Sequence, residues 1–74
     1  MNVLEMIAKA KKEKAKSLEL NGLDLRILPK ELFELESLEE LSLDENQLVE
    51  IPEEIQNLKN LKKLSLGYND LMAL

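Results

Sequence analysis

The apolar residues of this chain recur with a period of 23. From Leu38 the sequence reads LEELSLDENQLVEIPEEIQNLKN, and from Leu61 it reads LKKLSLGYNDLMAL. As far as the chain extends, the Leu, Ile and Asn positions match one period later. The repeat positions also match one period earlier, except that Ala15 stands in place of the opening Leu and Leu23 in place of the Asn. A fixed spacing of this kind is typical of repeat proteins. The pattern predicts two complete repeats and a third that is interrupted at Leu74.

A Leu-x-Leu step near the start of each repeat predicts a short strand. Alternate side chains of a strand point to the same side, so both leucines face inward and the residue between them faces out. We expect these strands at about residues 18–20, 41–43 and 64–66, stacked as a parallel ladder. Asn46 and Asn69 follow the second and third strands, where their amides can satisfy buried backbone groups of the turn.

A proline after each turn indicates a return path on the other side of the molecule. Pro29 and Pro52 have a fixed φ and no amide proton, so they fit this path and not the strand ladder. Apolar residues at every third position after them predict short 3₁₀ or helical turns. Phe33 aligns with the polar Gln56 of the next repeat, so we expect its side chain to be partly exposed on this side.

The first sixteen residues do not follow the repeat and predict an amphipathic helix. Asn2 and Glu5 have the spacing of an N-terminal capping box. The residues of its apolar side are Val3, Ile7 and Ala10. Residues 1–16 have a net charge of +3, whereas the rest of the chain has −8. We therefore expect two parts, a capping helix at 1–16 and repeats at 17–74, because the first repeat of a stack needs a cover.

The full pattern, LxxLxLxxNxLxxIPxxIxxLxx, resembles the leucine-rich repeat family in its intracellular and bacterial form, whose repeat has the same length. The resemblance covers residues 15–74. It implies an α/β fold, a short right-handed solenoid with parallel strands on its concave face. It also implies an N-terminal capping helix and short helical turns on the convex side. Finally, it implies a non-catalytic module that binds a protein or peptide through the concave strand face.

Exposed positions just before, on and just after the three strands are where the resemblance implies partner binding. Their charges alternate between neighbouring repeats, as in the series Lys16, Glu39 and Lys62. A second interpretation is that such charges contribute only solubility and strand register, at about 0–1 kcal/mol per exposed pair. The candidate partner-binding residues are Glu19, Asn21, Glu39, Glu40, Ser42, Asp44, Glu45, Lys62, Lys63, Ser65 and Tyr68.

The residues of common catalytic and metal chemistry are scarce in this chain. It has no His and no Cys, which removes the most frequent bases, thiol nucleophiles and soft metal ligands. The acidic stretch at residues 44–46 lacks the glycine and the spacing of a calcium loop. Gly22 and Gly67 do not form a phosphate-binding loop. We therefore expect no enzyme activity, no catalytic or metal-binding residue, and no cofactor.

Composition also restricts the class of partner. The lysine-rich helix has no aromatic residue for base stacking, and its apolar side is needed to cover the first repeat. We therefore expect neither nucleic-acid nor membrane binding. No stretch approaches the roughly 20 apolar residues of a membrane span. The order of charges at residues 1–16 is not that of a secretory signal, so we expect a cytoplasmic protein.

Two other functions fit the same sequence. In one, the chain is the N-terminal sensor of a larger signalling protein, such as a GTPase, a kinase or a ubiquitin ligase. In the other, it is an assembly unit that forms a homodimer through its C-terminal repeat. The interrupted repeat would then leave a row of leucines poorly covered until another chain packs on them. The residues of this candidate edge are Leu58, Leu61, Leu64, Leu66, Leu71 and Leu74.

Overall fold

The computed structural model describes residues 2–72, in which strands alternate with 3₁₀ helices after an N-terminal α-helix. Helix α1 is Val3–Glu13, and strands β1, β2 and β3 are Ser17–Glu19, Glu40–Ser42 and Lys63–Ser65. The 3₁₀ helices η1 and η2 are Lys30–Glu34 and Glu53–Asn57. Each strand lies within one residue of its predicted position, and both helical turns after the prolines are confirmed.

The three strands form one open parallel sheet in the order β1-β2-β3. Leu18 pairs with Leu41, and Leu41 pairs with Leu64, so residues one repeat apart in sequence are neighbours across the sheet. The predicted parallel ladder is therefore confirmed. Each connection between strands carries a 3₁₀ helix, and the chain is a small α/β protein.

Leucine side chains form most of the core. In the middle repeat, Leu41 and Leu43 are both buried, because β2 has a neighbouring strand on each side. In the outer repeats Leu18 and Leu66 are only partly buried and Leu64 is exposed. The two leucines of the Leu-x-Leu step are thus both fully buried only in the middle repeat, at the centre of the sheet.

Asn46 is buried, and the polar atoms of its side chain are all hydrogen-bonded. Its Nδ2 donates to the carbonyl oxygens of Leu20 and Leu43 at 2.9 and 3.0 Å. Its Oδ1 accepts from the backbone amides of Leu23 and Leu25 at 3.0 and 3.1 Å. One side chain therefore fixes the turns of two successive repeats, as the repeat pattern predicts.

Asn69 makes the equivalent bonds one repeat later. Its Nδ2 donates to the carbonyl oxygens of Leu43 and Leu66 at 2.9 and 3.2 Å, and its Oδ1 accepts from the amide of Leu48 at 3.1 Å. Leu23 stands at this position in the first repeat. The Asn of each later repeat thus satisfies backbone groups of the repeat before it, so the first repeat can lack one.

Helix α1 packs against η1 and begins with the predicted capping box. Glu5 donates its amide to the Asn2 side chain, and the Glu5 carboxylate accepts from the Asn2 amide. Ile7 and Ala10 are buried in the core. The Lys11 ammonium lies 2.9 Å from the Glu34 carboxylate, and this hydrogen bond lowers the pKa of Glu34 below its ordinary value.

The burial of Phe33 corrects an expectation from the sequence. We expected partial exposure because Gln56 occupies the same place in the next repeat, but the Phe33 side chain is only 8% exposed. Phe33 lies in η1, the 3₁₀ helix against which α1 packs. The equivalent helix η2 has no such partner among residues 2–72, and Gln56 is exposed. The burial of Phe33 therefore follows from the neighbouring helix, which no alignment of repeats contains.

Candidate functional site

The outward side of the three strands, which we call the sheet face, forms a shallow groove of about 200 Å³. Alternation along each strand places polar residues here, since the inward positions are leucines. Glu19, Glu40 and Lys63 are exposed, and Ser42 and Ser65 are partly buried beside them. The polar residues of the sheet face are Ser17, Glu19, Glu40, Ser42, Lys63 and Ser65. The structure thus brings residues of three different repeats to one surface.

A row of side-chain hydrogen bonds crosses the sheet face, and we call it the polar ladder. The Asn21 Oδ1 accepts from the Ser42 hydroxyl at 2.7 Å and from the Asp44 amide at 2.8 Å. One repeat later, the Asp44 Oδ1 accepts from the Ser65 hydroxyl at 2.7 Å and from the Gly67 amide at 2.7 Å. The same bonds therefore join the first repeat to the second and the second to the third.

The polar ladder changes the interpretation of four candidate partner-binding residues. Asn21, Ser42, Asp44 and Ser65 already bond to one another or to backbone between repeats. In the sequence these four have only the character of exposed polar positions. The sequence did contain one signal that could have separated them. Asn21 and Asp44 are one repeat apart and both carry an acceptor oxygen, and each is followed by a serine on the next strand, Ser42 or Ser65.

Asp44 is held ionised by these bonds. The Ser65 hydroxyl and the Gly67 amide both donate to its carboxylate, and they lower its pKa below the ordinary value of 3.8. A carboxylate that accepts hydrogen bonds is favoured over the protonated acid, which accepts them less well. The negative charge of Asp44 is therefore part of the sheet at neutral and mildly acidic pH.

The charged candidates lie on neighbouring strands in the predicted order. The Lys16 carbonyl oxygen accepts from the Glu39 amide at 2.7 Å, and Glu40 pairs in register with Lys63. The Glu39 carboxylate and the Lys62 ammonium are 3.9 Å apart. This is the one pair of the predicted alternating series within ion-pair distance among residues 2–72. Exposed pairs of this kind are weak, so most of these charges are available to other groups.

A turn with left-handed backbone follows each strand. Gly22, Glu45 and Tyr68 occupy the same position in successive repeats, with φ of 65°, 59° and 57°. Residues other than glycine rarely adopt this backbone conformation. Only Gly22 signalled this in the sequence, and the repeat spacing would have extended it to the other two. Tyr68, in the turn that follows β3, is 87% exposed.

The candidate dimer edge is only partly exposed. Leu64 is 37% exposed, and Leu61, Leu66 and Leu71 are partly buried against the core. Leu58 is 4% exposed, so the expectation that it is poorly covered is wrong. It follows η2 directly and packs in the core with the middle repeat. Leu74 lies outside the described residues.

Two other kinds of site are absent from the part of the chain that the structure describes. Between residues 2 and 72, no group of three or more His, Cys, Asp or Glu side chains is arranged to hold a metal ion. Nor does any helix in that range have the length and apolar character needed to cross a membrane.

A parallel strand ladder with one leucine pair per strand and an asparagine in each later turn defines a leucine-rich repeat protein. A family model described as "Leucine rich repeat" matches residues 13–71, so the chain belongs to this family. Domains of this family generally mediate protein–protein interaction, and the family is generally non-enzymatic. A comparison with curated proteins finds no match.

Proposed function

We propose that this chain is a non-catalytic interaction module that binds a protein or peptide through the sheet face. In this proposal the chain is a short right-handed solenoid of the intracellular type. Helix α1 is its N-terminal cap, and the sheet face lies on its concave side. The observation that carries the proposal is that Glu19, Glu40 and Lys63 project exposed from three successive strands. None of the three belongs to the polar ladder.

The charge of the sheet face suits a partner of mixed charge. Glu19 and Glu40 are acidic positions on β1 and β2, whereas Lys62 and Lys63 are basic positions at β3. A partner segment would place a basic group over the first two strands and an acidic group over the third. Complementary charge of this kind contributes mainly to specificity and association rate. Tyr68 adds an exposed aromatic side chain, the residue type that most often anchors an interface.

Charge reversal tests this proposal. The 74-residue chain is immobilised and its bound proteins are compared with those of Glu19→Lys and Lys63→Glu. Matched controls are Glu53→Lys in η2 and Lys59→Glu just after it, both exposed away from the strands. We expect one partner to be lost with the two sheet-face variants and kept with both controls, all four having the wild-type circular dichroism spectrum. A partner that remains with all four, or is lost with the controls as well, would contradict the proposal.

A second candidate function is assembly of two copies through the edge of β3. It is supported by Leu64, which is 37% exposed, and by Met72, which is 86% exposed in the same repeat. Light scattering at high micromolar concentration tests it. A dimer that Leu66→Glu or Leu71→Glu abolishes would support assembly, and a monomer throughout would refute it.

A further inference from the structure

Asn21 and Gly22 form an Asn-Gly step in the turn that follows β1, and this step occurs once in the sequence. Asparagine loses its side-chain amide most readily when glycine follows it, because glycine has no side chain to hinder attack by its own backbone nitrogen. Both residues are exposed, and a Cβ added at Gly22 would meet no atom within 4 Å. Water and hydroxide therefore reach this part of the turn.

The reaction that such a step undergoes is deamidation. A base removes the proton of the Gly22 amide, and the nitrogen attacks Cγ of Asn21. As the N–Cγ bond forms, the Cγ–Nδ2 bond breaks, and Nδ2 takes up a proton and leaves as ammonia. Water then opens the cyclic imide at either carbonyl carbon. Opening at Cγ gives aspartate, whereas opening at the backbone carbonyl carbon gives isoaspartate, the main product, whose main chain runs through the side-chain methylene.

Contact between the first two repeats blocks the nucleophile of this reaction. The Gly22 amide donates to the Asp44 carbonyl oxygen at 3.0 Å. The new bond must form in the direction of the N–H bond, since Cγ of Asn21 takes the place of the hydrogen. In the folded chain the Asp44 oxygen occupies that direction and holds the proton away from a base. The Gly22 nitrogen is therefore unreactive while this hydrogen bond is intact.

The Asn21 side chain is held in place at the same time. Its Oδ1 accepts from the Ser42 hydroxyl at 2.7 Å and from the Asp44 amide at 2.8 Å. Both donors belong to the second repeat, so rotation of the side chain to meet the Gly22 nitrogen would break both bonds. The polar ladder thus restrains the carbon that is attacked, and the backbone bond restrains the nitrogen that attacks it.

This turn needs little opening to release both groups. The two hydrogen bonds of Asn21 lie at the surface, and Leu23, the next apolar residue, is 36% exposed. Segments with exposed hydrogen bonds and few buried apolar contacts open at a lower free energy than the core does. The turn can therefore separate from the second repeat without unfolding of the whole chain.

We propose that Asn21–Gly22 is a deamidation site that is closed while the first two repeats are in contact and that reacts when this turn opens. The aspartate product keeps the Oδ1 acceptor, and Asp44 makes the equivalent bonds with a carboxylate one repeat later. Isoaspartate lengthens the main chain by a carbon atom, so the turn no longer matches Asp44. Its formation makes a reversible opening permanent. This inference concerns the chain alone and does not depend on the binding function proposed above.

Tryptic digestion makes the reaction measurable. Cleavage after Lys16 and Arg26 releases SLELNGLDLR, which contains Asn21 and no other asparagine. The 74-residue chain is incubated at neutral pH, either folded or unfolded in urea, and mass spectrometry of this peptide gives the deamidated fraction. We expect the folded chain to react at least about tenfold more slowly. Asn57, exposed but followed by Leu58, is the matched control and should react far more slowly in urea than Asn21 does. Equal rates for folded and unfolded chain would overturn the proposal.

A second measurement needs no variant. Hydrogen exchange of the Gly22 amide reports the opening of its bond to Asp44. As urea is raised below the unfolding midpoint, we expect the exchange rate and the deamidation rate to rise in proportion. A deamidation rate that stays constant while exchange accelerates would show that attack occurs in the closed turn, and it would overturn the proposal.

Two serine variants test whether this turn is the part that must open. Ser42→Ala removes a donor to Asn21, whereas Ser65→Ala, the matched control, removes the equivalent donor to Asp44 one repeat later. We expect deamidation of the folded Ser42→Ala chain to be at least about threefold faster than in the wild type, with a smaller change in Ser65→Ala. Equal acceleration would place control in the whole fold and overturn the local mechanism. If either variant does not fold, the exchange comparison in the wild type decides.

Refolding distinguishes the effects of the two products. A sample deamidated in urea is refolded, and its native fraction is isolated by size-exclusion chromatography. An isoaspartyl methyltransferase then measures isoaspartate in the native fraction and in the starting material. We expect the native fraction to be depleted in isoaspartate and Asn21→Asp to unfold at a midpoint close to that of the wild type. An equal share of isoaspartate in both samples would overturn the permanent effect assigned to it.

Discussion

The Asp44 carboxylate accepts a hydrogen bond from the Ser65 hydroxyl at 2.7 Å, across two neighbouring strands. One repeat earlier, the Asn21 side chain accepts the same bond from Ser42 at the same distance. An amide oxygen and a carboxylate oxygen are thus equivalent here, because the position requires an acceptor and not a charge. The polar ladder is a structural element that happens to lie on the candidate binding surface.

Substitution at Asp44 should separate these roles. Asp44→Asn keeps an Oδ1 acceptor, as Asn21 does, so we expect an unfolding midpoint close to that of the wild type. Asp44→Ala removes the acceptor of both the Ser65 hydroxyl and the Gly67 amide, so its midpoint should fall clearly. Thermal and urea denaturation followed by circular dichroism measure both. Equal stability of the two variants would show that the ladder contributes nothing.

Asp44 should also make stability depend on pH. Its pKa in the folded chain lies below the ordinary value of 3.8, so the unfolded chain binds more protons between the two values. The contribution is fully present above the ordinary value and is lost as pH falls through the folded value. Below about pH 4, we expect the free energy of unfolding to decline more steeply for the wild type than for Asp44→Asn. Urea titrations over a pH series measure this, and parallel declines would contradict it.

Loss of the buried Asn46 amide should be severe. Asn46→Ala leaves the carbonyl oxygen of Leu20 and the amides of Leu23 and Leu25 without their partner. Since each unsatisfied buried group costs about 1–3 kcal/mol, we expect a loss of about 3 kcal/mol or more and an unfolded domain at room temperature. Asn69→Ala is the matched control, and its loss should be smaller because that turn is only partly buried. A cooperative Asn46→Ala transition near that of the wild type would contradict this.

Truncation of leucines should report the gradient of burial across the sheet. Leu43 is fully buried, and Leu43→Ala should cost about 2–5 kcal/mol, enough to unfold so small a domain. Leu64→Ala removes the same atoms from a side chain that is already partly in water, so its cost should be lower. Thermal and chemical denaturation, both followed by circular dichroism, compare the two variants. If Leu43→Ala melts within a few degrees of the wild type, the layered core is not what stabilises the fold.

Relief of the left-handed turn should stabilise the chain. Glu45 has a φ of 59°, a conformation that costs a residue with a side chain roughly 1–2 kcal/mol. Glu45→Gly removes this cost but adds flexibility to the unfolded chain, so we expect a net gain of about 0.5–1 kcal/mol. Glu40→Gly, at an exposed position in β2, is the control and should be destabilising. A loss of stability in both variants would argue against strain at Glu45.

Much of this architecture could be predicted from the sequence because the same residue types recur at equivalent positions in successive repeats. The strand positions, the parallel register and the role of Asn46 all follow from leucines and asparagines spaced by one repeat length. The capping box of Asn2 and Glu5 could also be predicted, because it depends only on two residues three positions apart. These features depend on short-range geometry or on identical neighbours.

The candidate site was less predictable. An exposed polar residue has the same appearance in a sequence whether it meets solvent, a partner or the next repeat. Asp44 and Ser65 belong to the last class, and only their 2.7 Å separation showed it. Glu45 and Tyr68 gave no local sign of their left-handed backbone, since neither is glycine.

The sequence by itself determined the family of the fold, the spacing of its strands and the chemistry of its turns, because so strict a period leaves few arrangements that bury the leucines. Tertiary structure alone decided which equivalent positions differ. Phe33 is buried where Gln56 is exposed because α1 packs on one repeat and not on the other. Leu64 is exposed where Leu41 is buried because, among residues 2–72, a strand flanks only one side of β3 but both sides of β2. The burial of a side chain depends on the elements packed against it, and equivalent positions of a periodic sequence do not show which elements those are.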